Sequence, residues 1–224
     1  MNQDAKINII APIIFSLLMV FAVQVSADEK TGLEAKRIDL VFDNEKCDLS
    51  FFLKGNKHDT LGSPEKIDGA ASIFISKDGM LAGGEGNIKI DAAKLDTKDA
   101  ARDKRMKKKF LHVKKFPNIT FVAAEIKPGQ EVKNITKNTS KDKPLPVKIK
   151  GDLTIHGVTK KIELDVDIYF SDERIIADSE TTLLLQDYNI KNPSFLWFKT
   201  EDEVKIKFHI ELIKKADNKL GSIL

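Results

Sequence analysis

Residues 161–170 read KIELDVDIYF, and every second residue in this stretch is apolar. Ile162, Leu164, Val166, Ile168 and Phe170 therefore share one face of a β-strand, while the other face is mostly charged. The same period of two runs through residues 47–53, 147–155 and 204–212. Weaker strands are expected at residues 38–42, 67–75, 80–90, 119–126 and 175–185. Such strands predict an antiparallel sheet that buries one face, either in a sandwich or by closing into a barrel.

Turns and one helix interrupt this pattern. A turn is expected at Lys77-Asp78-Gly79, and tight hairpins are expected at His156-Gly157 and Asp172-Glu173. Residues 98–109 predict a helix, with Met106, Phe110 and Val113 forming an apolar stripe. The segment from Lys127 to Pro146 is polar and rich in lysine, so it predicts a mobile hairpin loop.

The composition is that of a globular protein. The chain has 224 residues, 42% of them hydrophobic, and 37 Lys and Arg face 34 Asp and Glu for a net charge of +3. This charge is too small for a protein that binds nucleic acid over its whole surface. A single cysteine excludes an internal disulfide framework and a cysteine-rich zinc site.

The first 27 residues are typical of a secretory signal peptide. An apolar run over residues 7–25 ends in Val25-Ser26-Ala27, and the charged Asp28 follows. The alternative is an uncleaved membrane anchor, since the run is nearly long enough to span a bilayer. Cleavage after Ala27 is favoured, which leaves one domain over residues 28–224 and predicts a periplasmic or secreted protein.

The residue types that carry chemistry are scattered. His58, His112, His156 and His209 have no metal-ligand spacing, so neither a metal nor another cofactor is predicted. Cys47 lies on the apolar side of its predicted strand, which favours a buried, inert thiol. No pair of titratable groups indicates an enzyme.

A basic cluster stands out within residues 102–115. These residues hold eight Lys and Arg side chains and one acid, Asp103. The cluster is either a solvated helix face or a surface for anionic lipid headgroups or a diphosphate, and hence for a transient contact with an anionic membrane. It lacks the interleaved aromatic residues that stack on single-stranded nucleic acid, so nucleic acid is not an expected partner.

Four blocks, in order, resemble the YceI-like family of polyisoprenoid-binding periplasmic proteins. They are TKDAARDKRM at residues 97–106, KFPNITF at residues 115–121, GDLTIHGVTK at residues 151–160, and DYNI with PSF at residues 187–190 and 193–195. The resemblance spans about residues 37–213. It implies an all-β fold, an antiparallel lipocalin-like barrel of about eight strands with one short helix, whose channel holds isoprenoid or fatty-acid-type lipids.

Alternation, read on that barrel, predicts which side chains line the channel. The expected ligand-binding residues are Phe42, Leu49, Phe51, Leu53, Ile73, Phe121, Leu153, Leu164, Val166, Leu183 and Trp197. Arg102 and Asp103 match the helix pair of the family. The resemblance implies either that they form an ion pair anchoring the helix near the mouth, or that Arg102 contacts the head of the ligand.

The expected function is an exported carrier that holds a long-chain amphiphile for transport, storage or sequestration. The alternative is an envelope stress or structural protein whose barrel is filled by its own side chains. A contiguous apolar cavity separates the two hypotheses. The sequence leaves the oligomeric state undecided, and a dimer is one of the options.

Overall fold

The computed structural model describes residues 35–215 except 132, 171–173, 195, 196 and 198. Its strands are β1 Lys36–Phe42, β2 Asp48–Gly55, β3 Thr60–Pro64, β4 Asp68–Ile75, β5 Leu81–Asp91, β6 Leu95–Asp96, β7 Asn118–Pro128, β8 Leu145–Ile155, β9 Val158–Phe170, β10 Arg174–Leu184 and β11 Thr200–Lys214. Its helices are α1 Ala100–Arg105, continued by a π-helical turn at Met106–Phe110, and the short α2 Ile135–Asn138. Single 3₁₀ turns lie at Ala92–Lys94 and Leu185–Tyr188.

The strands form a closed antiparallel barrel. Eight of them pair in the order β1-β4-β5-β7-β8-β9-β10-β11, and pairing of β1 with β11 closes the ring. The strand β2 also pairs with β11, and β3 and β6 extend the sheet beyond β2. Closure buries the apolar face that the alternation predicted and leaves no long unpaired edge in the ring. The expectation of a lipocalin-like barrel is confirmed, and the sandwich is excluded.

The hairpin between β8 and β9 is the tight turn that His156-Gly157 predicted. Both residues have positive φ angles, 53° and 76°, as a two-residue turn of this kind requires. Glycine is also needed for space, because a Cβ on Gly157 would lie 2.4 Å from the ring of Phe116. The hairpin is therefore held against the segment that follows α1.

One end of the barrel is closed by the segment predicted to be a mobile loop. Ile135, the first residue of α2, is only 2% exposed and belongs to the main hydrophobic core. Its amide donates to the carbonyl oxygen of Gly79 at 3.0 Å, and Phe170 N donates to Thr139 Oγ1 at 3.1 Å. The expectation of a mobile loop was wrong, because Ile135 packs into the core together with Leu145 and Phe170 at this end of the barrel. We call it the closed end.

The helix predicted at residues 98–109 lies at the opposite end of the barrel. Asp99 caps α1, since its carboxylate accepts from the amides of Ala101 and Arg102, both at 2.9 Å. The helix then widens into the π-helical turn, where Leu111 N donates to the carbonyl oxygen of Met106. We call this end, formed by α1, the π-helical turn and the turn at Leu185–Tyr188, the mouth.

Two predictions fall outside the described residues: the signal peptide at residues 1–27 and the turn at Asp172-Glu173. Within the described part of the chain, no helix has the length and apolar character needed to span a bilayer.

Candidate binding cavity

The barrel encloses an apolar cavity of about 720 Å³. This volume lies within the range of about 300–1,000 Å³ that is usual for small-molecule sites. All eight strands of the ring contribute lining residues, and most of these are aliphatic or aromatic. The cavity runs from Phe170 and Leu212 near the closed end to Met106 and Tyr188 at the mouth.

Small residues on the inner wall leave this space open. An eight-stranded barrel is just wide enough for ordinary side chains to fill its interior. Here Ala71, Gly86, Ala123 and Ala177 occupy lining positions on four of the strands. Because each removes the volume of a larger side chain, the interior is not packed solid.

The structure brings the predicted lining residues together, with one exception. Those that line the cavity are Phe42, Leu49, Phe51, Leu53, Ile73, Phe121, Leu153, Leu164, Val166 and Leu183. Trp197 does not line it and is 71% exposed. The alternation rule failed for Trp197 because this residue lies in the irregular segment between β10 and β11, where no strand fixes the direction of its side chain.

A bulge brings in a lining residue that simple alternation misses. The register of β7 against β8 shifts between Ala123 and Glu125, which pair with the neighbouring residues Gly151 and Lys150. Ala124 between them therefore has no partner on β8. Ala123 lines the cavity before the shift, and Ile126 lines it after the shift. No sequence signal marks this position apart from the small side chains of Ala123 and Ala124.

The cavity reaches solvent at the mouth. Exposed residues among its lining there include His58, Arg105 and Lys191. The lining near the closed end instead consists of buried side chains such as Leu81, Phe170 and Ile210. The arrangement is a blind apolar tunnel with a polar, cationic rim.

Arg102 and Asp103 both contact Thr97 rather than each other. Arg102 Nε donates to Thr97 Oγ1 at 2.8 Å, and Arg102 Nη2 donates to the Thr97 carbonyl oxygen at 2.6 Å. Thr97 Oγ1 in turn donates to Asp103 Oδ1 at 2.6 Å. The expected mutual ion pair is therefore replaced by a shared anchor, the buried Thr97. Arg102 also lines the cavity, whereas Asp103 does not.

Hydrogen bonds of two histidines also hold the mouth together. His112 Nδ1 lies 2.8 Å from His156 Nε2, and His156 Nδ1 lies 3.1 Å from the carbonyl oxygen of Tyr188. Since a carbonyl only accepts, His156 donates through Nδ1 and, when neutral, accepts from His112 through Nε2. The chain after α1, the β8–β9 hairpin and the turn at Leu185–Tyr188 are thus linked.

The interior holds little that could perform chemistry. Burial raises the pKa of the Cys47 thiol, whose Sγ donates to the carbonyl oxygen of Glu211 at 3.5 Å. Desolvation also raises the pKa of Tyr188, a cavity-lining residue. Within residues 35–215, as far as they are described, no three His, Cys, Asp or Glu side chains could together hold a metal ion.

A polar cluster lies on the wall of the barrel. Asp178 accepts from the Tyr169 hydroxyl and from His209 Nδ1 at 2.6 Å. Arg174 Nη1 donates to Glu211 at 2.8 Å and to Asp43 at 2.7 Å. None of these six side chains lines the cavity. The cluster joins β9, β10 and β11 where the barrel closes.

This architecture defines a class, the antiparallel β-barrels with a blind apolar cavity. The model of the YceI-like domain matches residues 41–212. The chain therefore belongs to the YceI-like family, as the four sequence blocks predicted.

Relatives and solved structures agree with this assignment. A UPF0312 protein of Pectobacterium carotovorum is 30% identical over 185 residues, covering 78% of this chain and 86% of the relative. BcnA of Burkholderia cenocepacia has a similar fold, with a TM-score of 0.60 and 22% identity over 76% of this chain and 98% of its own. A polyisoprenoid-binding domain from Saccharophagus degradans superposes with a TM-score of 0.57 and 15% identity, covering 80% of this chain and 99% of that domain.

Proposed function

We propose that this protein is an exported carrier that holds a polyisoprenoid or another long-chain amphiphile inside its barrel. The observation that carries the proposal is the blind, apolar cavity of about 720 Å³ with a cationic rim. The similarity to a domain described as polyisoprenoid-binding supports it. An open cavity disfavours the alternative of a barrel filled by its own side chains, for which a packed interior would be expected.

Binding would be driven mainly by removing apolar surface from water, at about 25 cal/mol per Å². Such a force has no direction, so a range of chain shapes would fit. Orientation would come from the rim, where Arg102, Arg105 and Lys191 bring positive charge to the lining. We therefore propose that the tail points to the closed end and that an anionic head, such as a carboxylate or a phosphate, lies near Arg102.

The proposed site is tested by a charge placed inside the barrel and a charge removed outside it. Leu164 is buried and lines the cavity, whereas the Lys161 side chain is 89% exposed on the same strand. We expect Leu164→Asp to abolish retention of lipid. A bound hydrocarbon tail would displace the water around the ionised carboxylate, and it offers no hydrogen bond to offset that loss of free energy. Lys161→Gln should retain lipid like the unaltered protein. Equal retention in both variants would contradict the assigned lining.

A second variant covers the case in which Leu164→Asp does not fold. Ala71→Phe adds an aromatic ring at a position that lines the cavity, and it adds no charge. We expect this variant to fold and to hold less lipid, since the ring takes up part of the free volume. Undiminished lipid content in a folded Ala71→Phe protein would count against the cavity as the binding site.

Export is the remaining part of the proposal. The mass of the protein isolated from its native cells should correspond to a chain that begins at Asp28. A mass that retains residues 1–27 would favour the anchor instead.

A further inference from the structure

The charge of this chain is concentrated over the mouth. Residues 98–115 contain nine Lys and Arg side chains and two Asp, for a net charge of +7. The whole chain has a net charge of +3, so the remainder carries a net charge of −4. A protein that is otherwise acidic thus has one strongly basic segment, and this segment covers one side of the cavity mouth.

Among the described residues, several lysines of the barrel wall form ion pairs, whereas four exposed lysines of the mouth do not. On the wall, Lys148 lies 2.8 Å from Glu163, and Lys161 lies 3.4 Å from Asp152. At the mouth, Lys104, Lys108, Lys109 and Lys114 are all exposed. In the part of the chain that the structure describes, none of these four ammonium groups has a carboxylate within 4.0 Å. Their charge is therefore not neutralised locally.

The basic segment is tied to the cavity by its other face. Met106 and Phe110 line the cavity, and Lys108 and Lys109 lie between them in the chain. A surface that attracted these lysines would consequently lie directly over the route by which a ligand enters or leaves. Arg102, held by Thr97, fixes the segment to the barrel.

Exposed apolar side chains occur at the same end. Trp197 is 71% exposed and Leu61 is 61% exposed. Asn56 Nδ2 donates to the carbonyl oxygen of Trp197 at 2.8 Å, which places this tryptophan beside the turn between β2 and β3. That turn belongs to the mouth end, because β2 ends and β3 begins there. Tryptophan is enriched at membrane interfaces, where its ring is half in water and half in lipid.

We propose that the mouth surface, defined as Lys104, Lys108, Lys109 and Lys114 with Leu61 and Trp197, docks on an anionic lipid bilayer. Basic side chains near an anionic membrane each strengthen binding by about fivefold, and exposed apolar groups then enter the interface. Docking in this orientation turns the cavity mouth toward the membrane. The role of docking in lipid exchange rests on the proposed function, whereas the docking itself does not.

The single tryptophan makes the experiment direct. Trp197 is the one tryptophan in the sequence, so its emission reports on this surface alone. The protein, isolated as it matures in the cell, is mixed with vesicles of phosphatidylcholine or of a two-to-one mixture of phosphatidylcholine and phosphatidylglycerol. We expect a blue shift and co-sedimentation only with the anionic vesicles, and loss of binding as salt is raised.

A matched pair of charge reversals tests the location. Lys108→Glu with Lys109→Glu should weaken binding to the anionic vesicles by at least about tenfold. Lys141→Glu with Lys143→Glu makes the same charge change at exposed lysines of the closed end, and it should leave binding within about twofold. Equal loss in both variants, or equal binding to both vesicle types, would overturn the proposal. Binding to polyglutamate but not to vesicles would assign the surface to an acidic protein and also overturn it.

The lipid content of the same samples separates the two proposals. The Lys108→Glu, Lys109→Glu variant should keep its cargo, since neither lysine lines the cavity. If the unaltered protein contains lipid but does not bind vesicles, the docking proposal is contradicted and the carrier function stands. If vesicle binding is as expected but no lipid is ever found in the protein, the carrier function fails and docking stands.

Discussion

The two ends of the barrel are built on different physical principles. The closed end is sealed by apolar packing, with Ile135, Leu145 and Val147 each at most 2% exposed. The mouth is covered by a helix that is held through polar contacts to Thr97 and through the histidine pair, with Phe110 packed on a smaller apolar cluster. None of the helical residues from Ala100 to Phe110 is itself buried. Apolar packing excludes water and resists opening, whereas exchangeable hydrogen bonds near solvent open at lower free energy.

Such a barrel could release a ligand through its mouth without unfolding at its closed end. On the proposed function, a lipid tail at the closed end would add to one continuous core. We expect the mouth to open locally, because its helix contributes Met106 and Phe110 to the cavity but carries its charges in water. We expect variants at the closed end to change global stability and variants at the mouth to change access.

The largest expected effect is at the closed end. Ile135→Ala should lower the free energy of unfolding by about 2–5 kcal/mol, because it removes a buried side chain and leaves a cavity in the core. Urea unfolding followed by circular dichroism measures the change. Phe110→Ala at the mouth is the matched comparison and should cost less, since Phe110 is only half-buried. A greater loss of unfolding free energy for Phe110→Ala than for Ile135→Ala would show that the mouth, and not the closed end, contributes more to global stability.

A smaller effect is expected at the anchor of the mouth. Thr97→Val keeps the shape of the side chain but removes the hydroxyl that bonds both Arg102 and Asp103. The cost should be about 1–3 kcal/mol, because both charged groups lose a partner. Hydrogen exchange should increase in α1 and hardly at all in α2. Thr97→Ser, which keeps the hydroxyl, should restore protection, and faster exchange in α2 would argue against local opening.

The smallest expected effect is a loss of folding stability at high pH, which depends on Tyr169 in the barrel wall near the closed end. Burial, followed by the hydrogen bond to Asp178, raises the pKa of Tyr169 to about 12 from an ordinary value of 10.0. Between these two values the unfolded chain has lost the phenol proton and the folded protein has kept it. Stability from this group is therefore complete below about pH 10 and falls toward pH 12, by at most about 1.4 kcal/mol per pH unit.

Tyr169→Phe isolates that contribution. The difference in unfolding free energy between the variant and the unaltered protein should be constant below about pH 10 and should narrow above it. A difference that does not depend on pH would show that the Tyr169 hydroxyl titrates normally.

Most of the barrel could be predicted from the sequence because the buried face of each strand repeats every two residues. Leu164 and Val166 in β9 were placed correctly by this rule, as were Leu49 and Phe51 in β2. The rule does not say how strands are ordered or whether the sheet closes. In this chain the resemblance to a family supplied that information.

The errors share a physical cause, since they lie where backbone geometry is set by distant contacts. Ile135 is one apolar residue among polar ones, and its place in the core depends on distant contacts, including the backbone bonds of Asn134 to Asp78 and of Ile135 to Gly79. Trp197 lies in an irregular segment, so alternation had no meaning there. The resemblance implied an ion pair between Arg102 and Asp103, yet adjacent positions on a helix do not face each other. Thr97 binds both instead, since its hydroxyl accepts from Arg102 and donates to Asp103.

Mass spectrometry shows directly whether a lipid occupies the barrel. Protein purified from its native cells is denatured, and the organic extract is analysed for bound lipids. We predict one isoprenoid or acyl species in stoichiometric amount, absent from an extract of the Leu164→Asp variant. An empty native protein that also fails to bind isoprenoid and fatty-acid probes would contradict the carrier function.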